Sequence, residues 1–347
     1  MPKIITIGSA TMDVFVECDE ANIVSVCSKD RNADFMSYPY GSKIDISTFA
    51  SNVGGGGVNT ACNFGNLGFE TRAIFKVGKD FYSEGIFNFL KSQKVNLDSV
   101  IQKEDSSTGF SVILVSFQGD RTVLTHRGAN AHILEEDVDF NAIREADLIY
   151  IAPLNGESNK VLEKIVDFAE ANNTKICFNA GTTSIKKGYE HLKKILDSAH
   201  VVVMNKEEAS MATGIQVRPD TKTEKFSQEI IHQDIKKMLQ ALKIKDYQVV
   251  VITNGGKGAY AYEGNKFYYC PTFPSEVIST LGAGDSFAST FCATLYRNGK
   301  DVGTALMYGS VNSASVVSKF GATEGLLTFE EIEERLKTRP DYTYLLG

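Results

Sequence analysis

Short apolar runs separated by polar, glycine-bearing turns recur along the chain, and their spacing predicts an alternation of strands and helices. Lys3–Ile7 is a short apolar strand, and residues 13–50 carry alternating pieces such as Val14-Phe15-Val16 without a helical period. Asn59–Leu67 reads as a helix following a glycine run, and Ala73–Val77 as a strand. Tyr82, Ile86 and Leu90 recur every four residues, which gives Tyr82–Gln93 one apolar helical face. Phe110–Phe117 and Arg121–Thr125 flank the polar turn Gln118-Gly119-Asp120 and suggest a hairpin. Beyond residue 145 the alternation is regular. Strands are expected at Leu148–Ile151, Lys175–Phe178, Val201–Met204 and Val249–Thr253, with helices at Lys160–Asn172, Lys206–Thr213 and Glu229–Leu242. Such a pattern implies an α/β fold with a mostly parallel sheet covered by helices on both faces. The β-rich pieces at about 13–50 and 105–127 do not fit the alternation and read as a small second sheet. Within the first of them, Cys18–Tyr40 is long and polar, either an extra hairpin or an unstructured loop.

Composition narrows the class. A chain of 347 residues accommodates two average domains or one large one, and it buries enough surface to need no disulfide or metal staple. The net charge of −7, without any long Lys/Arg run, argues against a nucleic-acid binder, whose affinity comes from neutralising phosphates. No stretch of about 18 apolar residues suggests a membrane span, and the apolar start is too short for an export signal. The six cysteines (Cys18, Cys27, Cys62, Cys177, Cys270, Cys292) form no C-x-x-C pair and read as reduced thiols, so a cytoplasmic location is expected. The five histidines (His126, His132, His191, His200, His232) have no metal-ligand spacing, and no G-x-S-x-G elbow supports hydrolase chemistry.

Two glycine-rich turns carry candidate chemistry. In Ser279-Thr280-Leu281-Gly282-Ala283-Gly284-Asp285-Ser286-Phe287, the following Phe291 and Leu295 continue a four-residue apolar spacing, with Gly299 as a helix stop. Gly282, Ala283 and Gly284 thus open a helix, where backbone N–H groups and the helix dipole favour an anion. Asp285 in the first turn is placed to accept a proton from a hydroxyl attacking phosphate; it reads equally as an acidic residue that favours a helix start. The second turn is Gly54-Gly55-Gly56-Gly57-Val58-Asn59. It gives a backbone room to approach a ligand, with Asn59 offering both a donor and an acceptor, or it is a turn with Asn59 as helix cap. A dinucleotide reading as G-x-G-x-x-G lacks the acidic residue that such sites require.

Taken together, these motifs resemble the PfkB, or ribokinase-like, carbohydrate kinases. The run from Gly55 through Asn59, Ala61 and Gly68 to Gly78 is similar to that family's first signature, and Ser279 to Asp285 to most of its second. The resemblance covers nearly the whole chain in order. Gly8-Ser9-Ala10-Thr11-Met12-Asp13 resembles the N-terminal strand whose aspartate holds sugar hydroxyls, and Thr108-Gly109-Phe110-Ser111 a returning lid strand. Asn205-Lys206-Glu207-Glu208 is similar to an N-x-x-E motif near magnesium and phosphates, Thr253-Asn254-Gly255-Gly256-Lys257-Gly258 to a nucleotide loop, and Gly321-Ala322 to a loop near nucleotide and a monovalent cation.

The resemblance implies a ribokinase-like three-layer α/β/α fold over residues 1–347 as a single kinase domain, with a lid of discontinuous segments at about 13–50 and 105–127. It implies transfer of the γ-phosphoryl of ATP to a hydroxymethyl group of a carbohydrate. Asp285 would be the base and Gly282, Ala283 and Gly284 the anion hole. Asp13, Gly55 and Asn59 would bind the acceptor. Asn179, Asn205, Thr253, Gly255, Gly258 and Asn312 would bind ATP, with Asn312 near the base, and Glu208 would act on Mg²⁺ through water. A homodimer through the lid is also implied. Two positions depart from the pattern: Ser279 stands where an aspartate usually helps hold K⁺, which puts activation by K⁺ in doubt, and Thr290 stands where Ala or Gly is usual, a change expected to affect packing only. Three alternatives stay open: an adenosine-type nucleoside kinase, a catalytically silent sugar- or nucleotide-binding protein, and an NAD-dependent oxidoreductase.

Overall fold

Successive side chains of the central strands point to opposite faces. Both sets are apolar here, so the sheet must be covered on both sides. A computed structural model of the chain describes residues 2–27, 32–116, 121–217, 231–297 and 301–347. Its main sheet has nine strands, in the spatial order Leu345–Leu346, Lys266–Cys270, Ala259–Glu263, Val249–Thr253, Val201–Asn205, Lys175–Asn179, Leu148–Ile151, Lys3–Ile7 and Glu70–Ile74. From Val249–Thr253 to Glu70–Ile74 the pairing is parallel, and the other three strands extend the sheet antiparallel.

The alternation sorts the core into two layers. Ile149, Ile151, Ile176, Phe178, Val202 and Val250 face the helices Leu162–Ala171, Tyr189–Ser198 and Gln233–Leu242. Leu148, Tyr150, Cys177, Val201, Val203 and Val251 face Ala283–Tyr296, Val302–Val317 and Phe329–Lys337. Among the described residues no helix is long and apolar enough to cross a membrane.

The β-rich pieces form a four-stranded sheet in the order Arg121–His126, Gly109–Val115, Thr11–Glu17, Thr48–Gly54. Thr11–Glu17 is central, parallel to Gly109–Val115 and antiparallel to Thr48–Gly54, which sets Asp13 between Ser111 and Asn52. The Cys18–Tyr40 segment contains a hairpin, Asn22–Cys27 paired with Asn32–Ser37. Phe117, the turn at 118–120, residues 28–31 and the helix stop at Gly299 lie outside the described residues, as does the start of the helix expected at Glu229. The strand expected at Ala73–Val77 is two strands, Glu70–Ile74 on the main sheet and Lys76–Gly78, which pairs with Ile101–Lys103.

Candidate active site

The second sheet is rooted in the main domain by three residues. Strand Lys3–Ile7 leads through Gly8, Ser9 and Ala10 into Thr11–Glu17. Asn130 clamps this passage: its Oδ1 accepts from the Ala10 N–H at 2.9 Å and its Nδ2 donates to the Ala10 carbonyl at 2.7 Å. Helix Gly56–Asn66 begins against the same passage. The Ser9 carbonyl accepts from Gly57 N at 3.0 Å and Val58 N at 3.3 Å, and the Ser9 hydroxyl from Gly56 N at 3.2 Å. Gly55 has φ +97°, and a Cβ there would lie 2.5 Å from the Ser9 carbonyl. The close approach that the glycine run permits is therefore to Gly8–Ser9 of this chain, and the N–H groups of residues 56–58 are already used by Ser9.

One turn into that helix, Asn59 faces the start of another. Its Nδ2 donates to Asp285 Oδ2 at 2.8 Å, while its Oδ1 is buried without a partner among the described residues. Asp285 occupies the first turn of Ala283–Tyr296. Burial pushes its carboxyl above the usual aspartate range, the Asn59 amide draws it back, and the negative charge of Asp13 raises it further. Asp13 is only 7% exposed. Burial raises its carboxyl too, against hydrogen bonds from Ser111 and Thr11. The Asp13 carboxylate thus adds to what burial does, disfavouring charge on Asp285.

The turn before Asp285 is held from three directions. Gly282 adopts φ +73°, and a Cβ there would lie 2.6 Å from the carbonyl of Ala322. The Ala283 carbonyl accepts from the hydroxyls of Ser286 and Ser313, each at 3.1 Å. From the second sheet, the Arg121 guanidinium donates to the Thr280 hydroxyl, and Phe15 packs on Phe320 with ring centroids 4.7 Å apart. Ser279 is nearly buried, and its hydroxyl accepts from Leu281 N at 3.3 Å.

Beside this turn lies a cavity of about 330 Å³. Thr253, Gly255 and Gly258 line it together with Ala283 and Gly284, so the loop at 253–258 and the helix start do converge. Gly258, at φ +87°, is required because a Cβ would strike the Cys270 carbonyl. Phe273, Pro274, Val277, Ser310, Ser313 and Val317 also line it. The sequence reading missed these; the Pro271–Pro274 run ahead of the glycine turn was the available signal.

Asn312 does not belong there. It is fully buried on the far side of helix Val302–Val317, donating to Asn63 Oδ1 and Thr290 Oγ1 and accepting from Leu327 N. Ser310 and Ser313 occupy the cavity face instead; at about 3.6 residues per turn Asn312 points roughly 200° around the helix from Ser310 and roughly 100° from Ser313. The expectation for Thr290 also needs correcting, since its hydroxyl accepts from two buried amides.

Asn179 and Asn205 stand at the carboxyl ends of adjacent parallel strands, where open α/β sheets bind ligands. Asn179 Nδ2 reaches the Tyr150 hydroxyl at 3.3 Å. Asn205 and Glu208 cap each other: Glu208 N donates to Asn205 Oδ1 at 2.8 Å, and Asn205 N to Glu208 Oε2 at 3.0 Å. The N-x-x-E spacing is thus also a capping box. Burial raises the Glu208 carboxyl, the Asn205 N–H lowers it, and Glu207 raises it. Among the described residues no group of three or more His, Cys, Asp or Glu side chains could hold a metal ion.

A family model described as pfkB family carbohydrate kinase matches residues 1–328. A bifunctional ribokinase/ribose-5-phosphate isomerase A of Fructilactobacillus sanfranciscensis is 28% identical over 335 residues, 96% of this chain. The chain spans 56% of that relative's length. A 5-dehydro-2-deoxygluconokinase of Shouchella clausii is 26% identical over 301 residues, 83% of this chain and 87% of its own. Among solved structures, an Arabidopsis thaliana ribokinase complexed with ribose and ATP superimposes with a TM-score of 0.74 at 21% identity, over 97% of this chain and 99% of that one.

Proposed function

Since this chain belongs to the pfkB family of carbohydrate kinases, which are phosphotransferases, we propose that it transfers the γ-phosphoryl of ATP to a hydroxymethyl group of a sugar. In this reading residues 1–347 work as one kinase domain, with the four-stranded sheet as its lid. The observation that carries it is that Asp285, hydrogen-bonded to Asn59, follows directly in the chain on Ala283 and Gly284, which line the cavity.

ATP occupies that cavity against Thr253, Gly255 and Gly258. Its phosphates run toward Asn179, Asn205 and the N–H groups of residues 282–284, which stabilise charge on the transferring group. Mg²⁺, when bound, neutralises phosphate oxygens. Glu208 fits it as a single hard oxygen donor acting through water, since Mg²⁺ keeps several of its own waters. Ser279 offers a monovalent cation no carboxylate.

The acceptor lies under the lid, its hydroxyls on Asp13 and the unpartnered Asn59 Oδ1 and its backbone contact at Gly55. Asp285 removes the proton from the attacking hydroxyl. Positioning does most of the remaining work, and the lid excludes water that would hydrolyse ATP. Asp13, Ser111 and Asn52 form a polar row on this face, with Phe15 and Ile113 in the next row along the strands, and the polar row favours a sugar over a nucleoside. The opposite lid face, where Phe49 and Leu124 are exposed, suits a homodimer through the lid.

ADP release is to be measured with ATP and Mg²⁺ against ribose, fructose, a 2-keto-3-deoxy sugar acid, fructose 6-phosphate and adenosine. Turnover with a sugar is expected. Turnover with adenosine alone overturns the acceptor assignment, and no turnover with any of them overturns the kinase reading. With the accepted sugar, kcat should fall on acidification through a carboxylate range above that of a free aspartate, because a protonated Asp285 cannot accept the hydroxyl proton. A pH–rate profile flat across that range contradicts this assignment of the base.

A further inference from the structure

We infer that Thr290, together with Asn63 and Asn312, is a positioning element that holds the Asn59–Asp285 pair in register; the inference rests on the reading of Asp285 as the base.

Asn63 lies one turn below Asn59 on helix Gly56–Asn66, and Ser289 and Thr290 lie one turn below Asp285 on helix Ala283–Tyr296. The two helices are therefore joined by two rungs. The upper rung is Asn59 Nδ2 to Asp285 Oδ2 at 2.8 Å. In the lower, Asn63 Nδ2 donates to Ser289 Oγ at 2.7 Å and Thr290 Oγ1 at 2.8 Å. The Ser289 hydroxyl in turn donates to the carbonyl of Asp285 itself at 2.5 Å. Asn312 braces the lower rung from a third helix, donating to Asn63 Oδ1 at 2.9 Å and Thr290 Oγ1 at 2.7 Å. Its own Oδ1 accepts from Leu327 N at 2.9 Å.

Asn63, Ser289, Thr290 and Asn312 are all fully buried. In so dry a setting an unpaired amide is costly, so the network admits few arrangements. One hydrogen bond between two helix starts leaves them free to rotate and slide; a second rung one turn lower removes that freedom. Thr290 supplies the oxygen that both amides share. The ionisable groups that act on Asp285 from other elements are Asp13 on the lid strand and Tyr150 on the central strand, and the substitutions below touch neither.

The test compares Thr290→Val, which keeps the volume and removes the oxygen, with Thr290→Ser, which keeps the oxygen. Thr290→Val should lower kcat about 10- to 100-fold, the scale of a small misplacement of reacting groups, with KM for ATP changed less than about twofold. The acid limb of its kcat profile should move to higher pH, because the Asn59 amide no longer draws the Asp285 carboxyl down. Thr290→Ser should restore both. A folded Thr290→Val with wild-type kcat and an unmoved acid limb overturns the inference, even if its Tm falls. If Thr290→Val does not fold, Thr290→Ala carries the same test and the same outcomes. Asp285→Asn, run alongside, separates the two readings: if it keeps wild-type activity the base assignment has failed, and if it is inactive while Thr290→Val is normal only the positioning inference has.

Discussion

Asp285→Asn is expected to lose about 10³- to 10⁴-fold in kcat, the upper range for removing a general base, while retaining ATP binding and gaining stability. The loss follows because asparagine cannot take the hydroxyl proton. ATP binding persists because the cavity walls at Thr253–Gly258 and Phe273–Val277 are elsewhere. The stability gain follows from the direction of the carboxyl's displacement. A folded-state pKa raised above the unfolded value means that the native protein holds the proton more tightly. Between the two values the native state binds more protons, so stability falls as pH rises through that window. At neutral pH the charged Asp285 is therefore a liability to the fold. The amide removes the buried charge and its repulsion from Asp13, and its Oδ1 can still accept from Asn59. Calorimetry at neutral pH should give a higher Tm than wild type, and single-turnover kinetics the lost rate. Near-wild-type turnover would remove Asp285 from the role of base.

The second large effect is expected at Gly282. Alanine there must adopt φ near +73°, a conformation that costs an L-residue about 1–2 kcal/mol. Its Cβ would also lie 2.6 Å from the Ala322 carbonyl and 2.7 Å from the Ala322 Cα. Backbone blocks backbone, so the turn must move. The N–H groups that follow Gly282 move with it, and the cost should match the loss of an anion-hole donor, about 10²- to 10³-fold in kcat. Asp13 and Asn59 stand on other elements, so KM for the sugar should stay close to wild type. A Gly282→Ala enzyme with unchanged kcat would show that the turn's geometry does not serve catalysis.

How much of this was legible in the sequence depended on whether the signal was local. The parallel core could be read because Leu148–Ile151, Val201–Met204 and Val249–Thr253 are apolar runs bounded by polar turns, and each is a strand. Lys206–Thr213 could be read because Asn205 and Glu208 are a capping box written in four residues. The convergence of Thr253, Gly255 and Gly258 with Ala283 and Gly284 on one cavity followed from motif order. Asn312 was misread because its helix is buried nearly all round and wedged between the sheet and two other helices, so no periodicity marks which face meets the cavity. The partnership of Asn63 with Thr290 joins positions 227 residues apart, and nothing local in either segment announces it. The central place of Thr11–Glu17 in the four-stranded sheet, between strands from residues 48–54 and 109–115, is likewise a long-range pairing that alternation cannot assign.

The Asn130 clamp on Ala10 makes the four-stranded sheet a lever with its fulcrum at the root of the strand that carries Asp13. At about 3.3 Å per strand residue, Asp13 stands roughly 10 Å from that fulcrum and Glu17 roughly 23 Å. Arg121 lies at the Glu17 end, through Val115. Any rotation about the clamp thus moves the Arg121 end more than twice as far as Asp13. In the proposed reading grip and closure are therefore mechanically separate, since the hold of Asp13 on a sugar hydroxyl needs less movement than the contact of Arg121 with Thr280. A load on the long arm is felt at the short arm as a small displacement under greater force, so a sheet acting as the proposed lid would press an acceptor held by Asp13 toward Asp285 without its grip being remade.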